Sequence, residues 1–217
     1  MNMTRRAFHR LLLVGSLMGA AFPTLRAAPV LKEGIDFSPV NPPQPGEMPG
    51  KIEVLEFFSY GCPHCREMHP YVTAWAARLP KDVVFQRVPV SFGRASWANL
   101  VKLYYALEAE GLLARLDQAV FDAIHQQRIN LFTDKAIFDW LGSRGVDREK
   151  FRATFTSFGI GTKLMRADAL TANYKVDAVP RLVVGGRYNV LGNNAKSYND
   201  FLVIADALID KVRSGTG

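Results

Sequence analysis

The chain has 217 residues, 48% of them apolar and 22% charged, with a formal net charge of +7. That length and balance suit one globular unit with room for an insertion and exclude a disordered chain. Four arginines (Arg5, Arg6, Arg10 and Arg26) lie in residues 1–27 without an acid, so the remainder carries only +3 and no dense basic cluster. A nucleic-acid partner is therefore not expected.

Residues 1–27 have the pattern of a cleaved export signal. A basic start precedes an apolar stretch, Leu11 to Phe22, too short for a stable transmembrane helix, and then Pro23 and small residues. The expected cut is between Ala27 and Ala28. The run Thr4-Arg5-Arg6-Ala7-Phe8-His9-Arg10 resembles the twin-arginine export motif, and a general secretory signal with a chance arginine pair fits equally. Both routes lead out of the cytoplasm to the periplasm, where disulfides form and persist. No later apolar run reaches the roughly 18 residues of a membrane span.

In the segment 28–50, Ile35-Asp36-Phe37 is expected as a short edge strand. The prolines from Pro42 to Pro49 then forbid regular structure. Ile52 to Phe58 has the nearly continuous apolar pattern of a central strand buried on both faces, with Glu56 as the anomaly. A helix is expected from Pro63 to about Leu79, burying Cys65, Met68, Tyr71, Val72, Trp75 and Leu79, with Pro70 kinking it. Val83 to Val90 is the next strand, which makes a right-handed strand–helix–strand crossover with a parallel pair.

From Ser96 to Phe158 the pattern turns wholly helical. Leu100, Leu103, Tyr104 and Leu107 form one stripe, ended by Gly111; Leu112, Leu116, Val120, Phe121 and Ile124 form the next. Thr133-Asp134 and Asp147 can cap two more helices. Gly159 and Gly161 are expected to break the chain before a helix from Thr162 to Tyr174. Arg181–Val184 and Arg187–Leu191 flank Gly185-Gly186, a strong hairpin signal, and a terminal amphipathic helix runs from Ser197 to Val212.

The only two cysteines in the chain are Cys62 and Cys65, in the run Cys62-Pro63-His64-Cys65 at the start of the first helix. Two intervening residues suit a local disulfide that opens and closes. A helix N-terminus favours a thiolate at Cys62, and His64 can add positive charge or a hydrogen bond. Stabilising that thiolate destabilises the disulfide by comparison, which makes the pair an oxidant. Cys65, one turn in, is expected to be the buried resolving partner. A zinc site is set aside on ligand count: Cys62, Cys65 and His69 would need a fourth from His64 or His125, and His69 and His125 are expected as ordinary surface or helix residues. Haem attachment needs histidine directly after the second cysteine, where Arg66 stands. No metal and no cofactor are expected.

The element order is β, β–α–β, a helical block, α, then β–β–α. The run LEFFSYGCPHC, the helical block and VPRLVVGGRY together resemble the DsbA-type periplasmic thiol:disulfide oxidoreductases. That resemblance implies an α/β thioredoxin fold with an inserted helical subdomain: residues 28–94 and 162–217 form the thioredoxin-like domain, and 95–161 the insertion. It implies Cys62 as nucleophile, Cys65 as resolving cysteine, Pro63 and His64 as tuning residues, and Val179-Pro180 as a cis-proline loop that presents backbone to a substrate chain. Glu56 is either a solvent-facing strand residue or a buried carboxylate, and the resemblance favours a buried proton relay. Arg87 falls where the family often has lysine and is the expected charge partner; arginine does not release a proton, a departure from a shared relay. The implied function is a dithiol oxidase acting on reduced, unfolded exported proteins, reoxidised by a DsbB-like inner-membrane partner, with a monomer expected. The alternatives are a disulfide isomerase or reductase, though segment 28–50 is too short for the usual dimerisation domain, and a chaperone-like peptide-binding module with a structural disulfide.

Overall fold

The computed structural model describes residues 30–215; the expected export signal lies outside them. Five strands form one mixed sheet in the order β1-β5-β4-β2-β3. They are β1 (Phe37–Pro39), β2 (Ile52–Phe58), β3 (Val83–Pro89), β4 (Arg181–Val184) and β5 (Tyr188–Val190). β2 and β3 run parallel, in a register that sets Glu56 beside Arg87, and β4 pairs antiparallel with β2. The helices are α1 (Pro63–Ala76), α2 (Ala95–Ala109), α3 (Leu113–His125), α4 (Asp134–Gly142), α5 (Arg148–Phe155), α6 (Phe158–Asn173) and α7 (Tyr198–Arg213). This is the expected order. Among the described residues no helix is long and apolar enough to cross a membrane.

β2 is buried on both faces because each face has its own helices. Val54 packs with Met68, Val72 and Trp75 of α1 and Leu202 and Leu208 of α7; Leu55 and Phe57 pack with Val101 of α2 and Ala167 of α6. A third core, Leu103, Leu107, Phe121, Ile137 and Phe151, holds the inserted helices together. Phe58, Tyr60, Cys62 and Cys65 belong to that third core, so the end of β2 and the start of α1 are packed by the insertion. Gly61 lets the chain pass close to the insertion there: a Cβ would lie 3.3 Å from the rings of Phe132 and Trp97, which would have to shift to admit it.

Four expectations shift. β1 starts at Phe37 because residues 34–36 form a turn, in which Asp36 Oδ2 accepts from the Lys32 N–H at 2.8 Å. α1 ends at Ala76, short of Leu79, which Pro80 disfavours as a helical residue. Tyr71 is 44% exposed, and His69 takes the inward place at 6%. Gly159 and Gly161 do not break the chain. They lie in the first turn of α6, where Ser157 Oγ caps by accepting from Ile160 N–H. Gly161 N–H also donates to the Ser157 carbonyl at 3.1 Å, so Ser157 holds the first turn with both its side chain and its backbone and outweighs the glycines there. The expected boundary between residues 161 and 162 consequently falls inside a continuous helix. The two other caps form as read: Thr133 Oγ1 accepts from Ala136, and Asp147 accepts from Glu149 and Lys150.

The hairpin closes through Gly185 and Gly186, both at positive φ. Gly186 also touches the proline segment: Gln44 N–H donates to its carbonyl, and a Cβ on it would lie 2.1 Å from the Gln44 carbonyl oxygen.

Candidate functional site

The link Ser59-Tyr60-Gly61 turns the chain from β2 into α1, with Cys62 N–H donating to the Ser59 carbonyl at 3.0 Å. Cys62 is the N-cap residue, extended at φ −97°, and Pro63 occupies the first turn, where its missing N–H costs nothing. Both cysteines are free thiols here; Cys62 keeps 8% of its surface exposed and Cys65 none. The Cys62 thiol is pulled down to about 6, chiefly by a hydrogen bond from the Cys65 thiol, against the opposing effect of burial. The backbone N–H groups of Cys65 and His64 and the charge of His64 add to that pull. Cys65 moves the other way, far above an ordinary thiol, because it is desolvated, donates its hydrogen to Cys62 and feels the charge of Glu56. One sulfur is thus prepared as a thiolate nucleophile and the other as a retained thiol.

His64 is exposed, and its Nδ1 lies 3.3 Å from Glu67 Oε2, which also accepts from the Tyr198 hydroxyl at 2.9 Å. Those contacts hold Glu67 below the usual carboxylate range, the Tyr198 bond contributing most.

Val179-Pro180 reaches the same place from the other end of the chain. The Val179–Pro180 bond is cis, and the Cys62 thiol lies 3.4 Å from the Val179 carbonyl oxygen. Val179 N–H donates to no backbone or side-chain acceptor among the described residues. Pro180 also edges a groove of about 490 Å³ lined by Met68, Tyr71, Ser197, Tyr198 and Phe201. The Tyr71 and Tyr198 rings meet there with centroids 5.6 Å apart. The exposure of Tyr71 is explained by this groove.

Beneath Cys65 lies a buried charge cluster. Glu56 is fully buried, so of its two sequence readings the solvent-facing one is ruled out. Arg87 Nε donates to Glu56 Oε2 at 2.7 Å and Arg87 Nη1 donates to Asp117 Oδ2 at 2.6 Å. The guanidinium lies 3.8 Å from the centroid of the Phe58 ring. Burial raises the Glu56 carboxyl above its ordinary value; Arg87 offsets part of that, and Asp117 adds to it. Burial disfavours the Arg87 charge, but the two carboxylates outweigh it, so the guanidinium stays charged.

The structure therefore brings together Cys62, Cys65, Pro63, His64, Val179, Pro180, Glu56 and Arg87. Asp117, Tyr60 and His69 were not anticipated as members. The Tyr60 hydroxyl donates to Asp117 Oδ1, and His69 Nε2 lies 3.2 Å from Asp117 Oδ2. His69 is thus a buried helix residue, not a surface one, and burial and Arg87 push its pKa down. His125 Nε2 lies 2.8 Å from the Tyr60 carbonyl oxygen. The available signal was an acid, Asp117, set between Leu116 and Val120 on the apolar stripe of α3. Among the described residues no three His, Cys, Asp or Glu side chains are grouped to hold a metal ion.

Residues 53–198 match the model of the DSBA-like thioredoxin domain. The thiol:disulfide interchange protein DsbA of Bordetella parapertussis is 42% identical over 217 residues, covering 97% of this chain and all of the relative. The protein of the same name from Pseudomonas aeruginosa is 37% identical over 91% of this chain and 93% of its own. The crystal structure of Pseudomonas aeruginosa DsbA superimposes with a TM-score of 0.81 at 38% identity, covering 86% of this chain and 96% of that one. The oxidoreductase NmDsbA1 from N. meningitidis gives 0.76 at 28% identity, covering 86% and 96%.

Proposed function

Because the chain belongs to the family of DSBA-like thioredoxin domains, and so to the thiol–disulfide oxidoreductases, we propose that it is a periplasmic dithiol oxidase. It introduces disulfides into reduced, unfolded exported proteins through the Cys62–Cys65 pair, and a DsbB-like membrane partner then reoxidises it. The observation that carries this reading is the opposite displacement of the two thiols, Cys62 down to about 6 and Cys65 far up. A stabilised Cys62 thiolate is a good leaving group and makes the dithiol the favoured state, so the disulfide is readily given away.

The steps follow from that asymmetry. A substrate thiolate attacks Cys62 Sγ of the disulfide form; the Cys62–Cys65 bond breaks and its electron pair goes to Cys65 sulfur. Cys65, desolvated and a poor thiolate, takes a proton at that moment, and Glu56, whose pKa burial raises, supplies it. A second substrate thiolate then attacks the substrate sulfur of the mixed disulfide and expels Cys62 as its thiolate. The substrate leaves oxidised and the enzyme is a dithiol. Val179 backbone pairs with the extended substrate chain, while the groove beside Pro180, lined by Met68, Tyr71 and Phe201, takes its apolar side chains. His64 tunes Cys62; Arg87, unable to give up a proton, holds Glu56 in place.

Incubating the oxidised protein with a reduced, unfolded disulfide protein and following loss of free thiols tests this. The wild type should oxidise it stoichiometrically and Cys62→Ala should not; oxidation by Cys62→Ala would leave only a peptide-binding module.

A further inference from the structure

We propose that Asp117, supplied by helix α3 of the insertion, is a positioning residue of the redox centre: it shares the charge of Arg87 with Glu56 from the opposite edge of the guanidinium and so leaves Glu56 able to carry the proton of Cys65. The inference rests on Glu56 acting as the proton carrier and adds the group that makes it one.

An arginine beside a single buried carboxylate normally engages it with two parallel N–H groups, which holds the carboxylate ionised. Here the fork is split. Nε goes to Glu56 at 2.7 Å and Nη1 to Asp117 at 2.6 Å. Glu56 is left with a single hydrogen bond, and its Oε1 and Arg87 Nη2, the arm beside Nε, are both buried without a partner, so the fork does not close on Glu56 even though Asp117 occupies only Nη1. One guanidinium between a fully buried and a partly buried carboxylate also leaves one negative charge uncompensated, and in such a site one carboxyl holds a proton. The donors decide which. Tyr60 and Arg87 donate to Asp117, and His69 Nε2 faces it at 3.2 Å, against one donor for Glu56. The proton goes to Glu56.

The surroundings offer nothing that reverses this. Glu56 is faced by Arg87 from β3, Asp117 from α3 and Cys65 from α1. Around Arg87 and Asp117 stand Tyr60 from the active-site link, Tyr104 from α2, and His69, which also feels Asp122 of α3. On the far side, His69 Nδ1 lies 3.4 Å from the exposed Thr73 hydroxyl, so Asp117 is held from the solvent side while Glu56 is enclosed. Arginine cannot pass a proton along this chain of bonds. Asp117 therefore acts by position and charge, not as a relay.

The test compares wild type, Asp117→Asn, Asp117→Glu and Glu56→Gln. Each is checked by denaturant unfolding, and the equilibrium with reduced and oxidised glutathione is measured as a function of pH, together with the infrared band of a protonated buried carboxyl. In Asp117→Asn, no second carboxylate shares the charge of Arg87, which then falls wholly to Glu56. The carboxyl band and the Glu56 step in the pH profile should move to lower pH, and release of Cys65 from the disulfide by substrate should slow at least about tenfold, part of what a positioned acid contributes. Asp117→Glu should restore both. Tyr60→Phe and His69→Gln, each removing one group from Asp117, should give smaller shifts in the same direction and serve if Asp117→Asn does not fold. If Asp117→Asn lowers only the unfolding midpoint and keeps the wild-type band and profile, Asp117 is structural and the proposal is overturned. If Glu56→Gln itself retains the wild-type profile, Glu56 is not the carrier, and the reading beneath the proposal fails first.

Discussion

Replacing Cys65 by alanine should raise the pKa of Cys62. The native thiol titrates at about 6 against an ordinary 9.0, and the hydrogen bond from Cys65 is the largest cause of that drop. Three units correspond to roughly 4 kcal/mol favouring the thiolate, an upper bound once solvent screening is allowed for. The sign follows from linkage. A thiol with a depressed folded pKa stabilises the folded dithiol fully above its unfolded value, and that stabilisation is lost as pH falls through the folded one. At pH 7 only about one unit of the three is realised, roughly 1.4 kcal/mol, or about 30 mV toward the oxidant side of a two-electron couple. Without the Cys65 thiol, the backbone N–H groups and His64 remain, so Cys62 should settle between about 6 and 9.0. Ultraviolet thiolate absorbance against pH, in the reduced wild type and in Cys65→Ala, gives both values. A wild-type Cys62 that titrates like a free thiol, or one that does not move in Cys65→Ala, refutes the reasoning.

Two further changes test the scaffold around the pair. Arg87→Leu leaves the buried Glu56 and the partly buried Asp117 without their cation and should cost about 3–5 kcal/mol in denaturant unfolding. With the carboxyl pKa raised further above its unfolded value, the loss should deepen as pH rises and shrink in acid; a loss independent of pH would mean that only packing was removed. Gly186→Ala sets a Cβ 2.1 Å from the Gln44 carbonyl at φ +65°, so unfolding should come more than about 1 kcal/mol earlier. A neutral result would show that the proline segment does not press on the hairpin.

Most of the fold was legible because it rests on short-range chemistry. The β2–α1–β3 crossover, the Gly185-Gly186 hairpin and the caps at Thr133 and Asp147 each follow from local periodicity or a single side chain. Cys62 and Cys65 were legible for a similar reason, since two cysteines at a helix start leave little else to do thiol chemistry. What escaped depends on contacts far apart in sequence. Tyr71 and His69 share helix α1 with the predicted stripe, and helical spacing alone does not say that a groove takes the tyrosine while Asp117, from another helix, draws the histidine inward. Glu56 and Arg87 could be paired by family likeness, but the carboxylate that divides Arg87 comes from the insertion. Gly159 and Gly161 misled because glycine weakens a helix interior yet costs little in a capped first turn.

The most direct measurement is the reduction potential of the Cys62–Cys65 pair, from equilibration with glutathione at neutral pH. A dithiol oxidase should lie well on the oxidising side of the cytosolic glutathione poise, with the mixed disulfide trapped on Cys62. A potential as low as that of thioredoxin, roughly −270 mV, would make the protein a reductant and contradict the account.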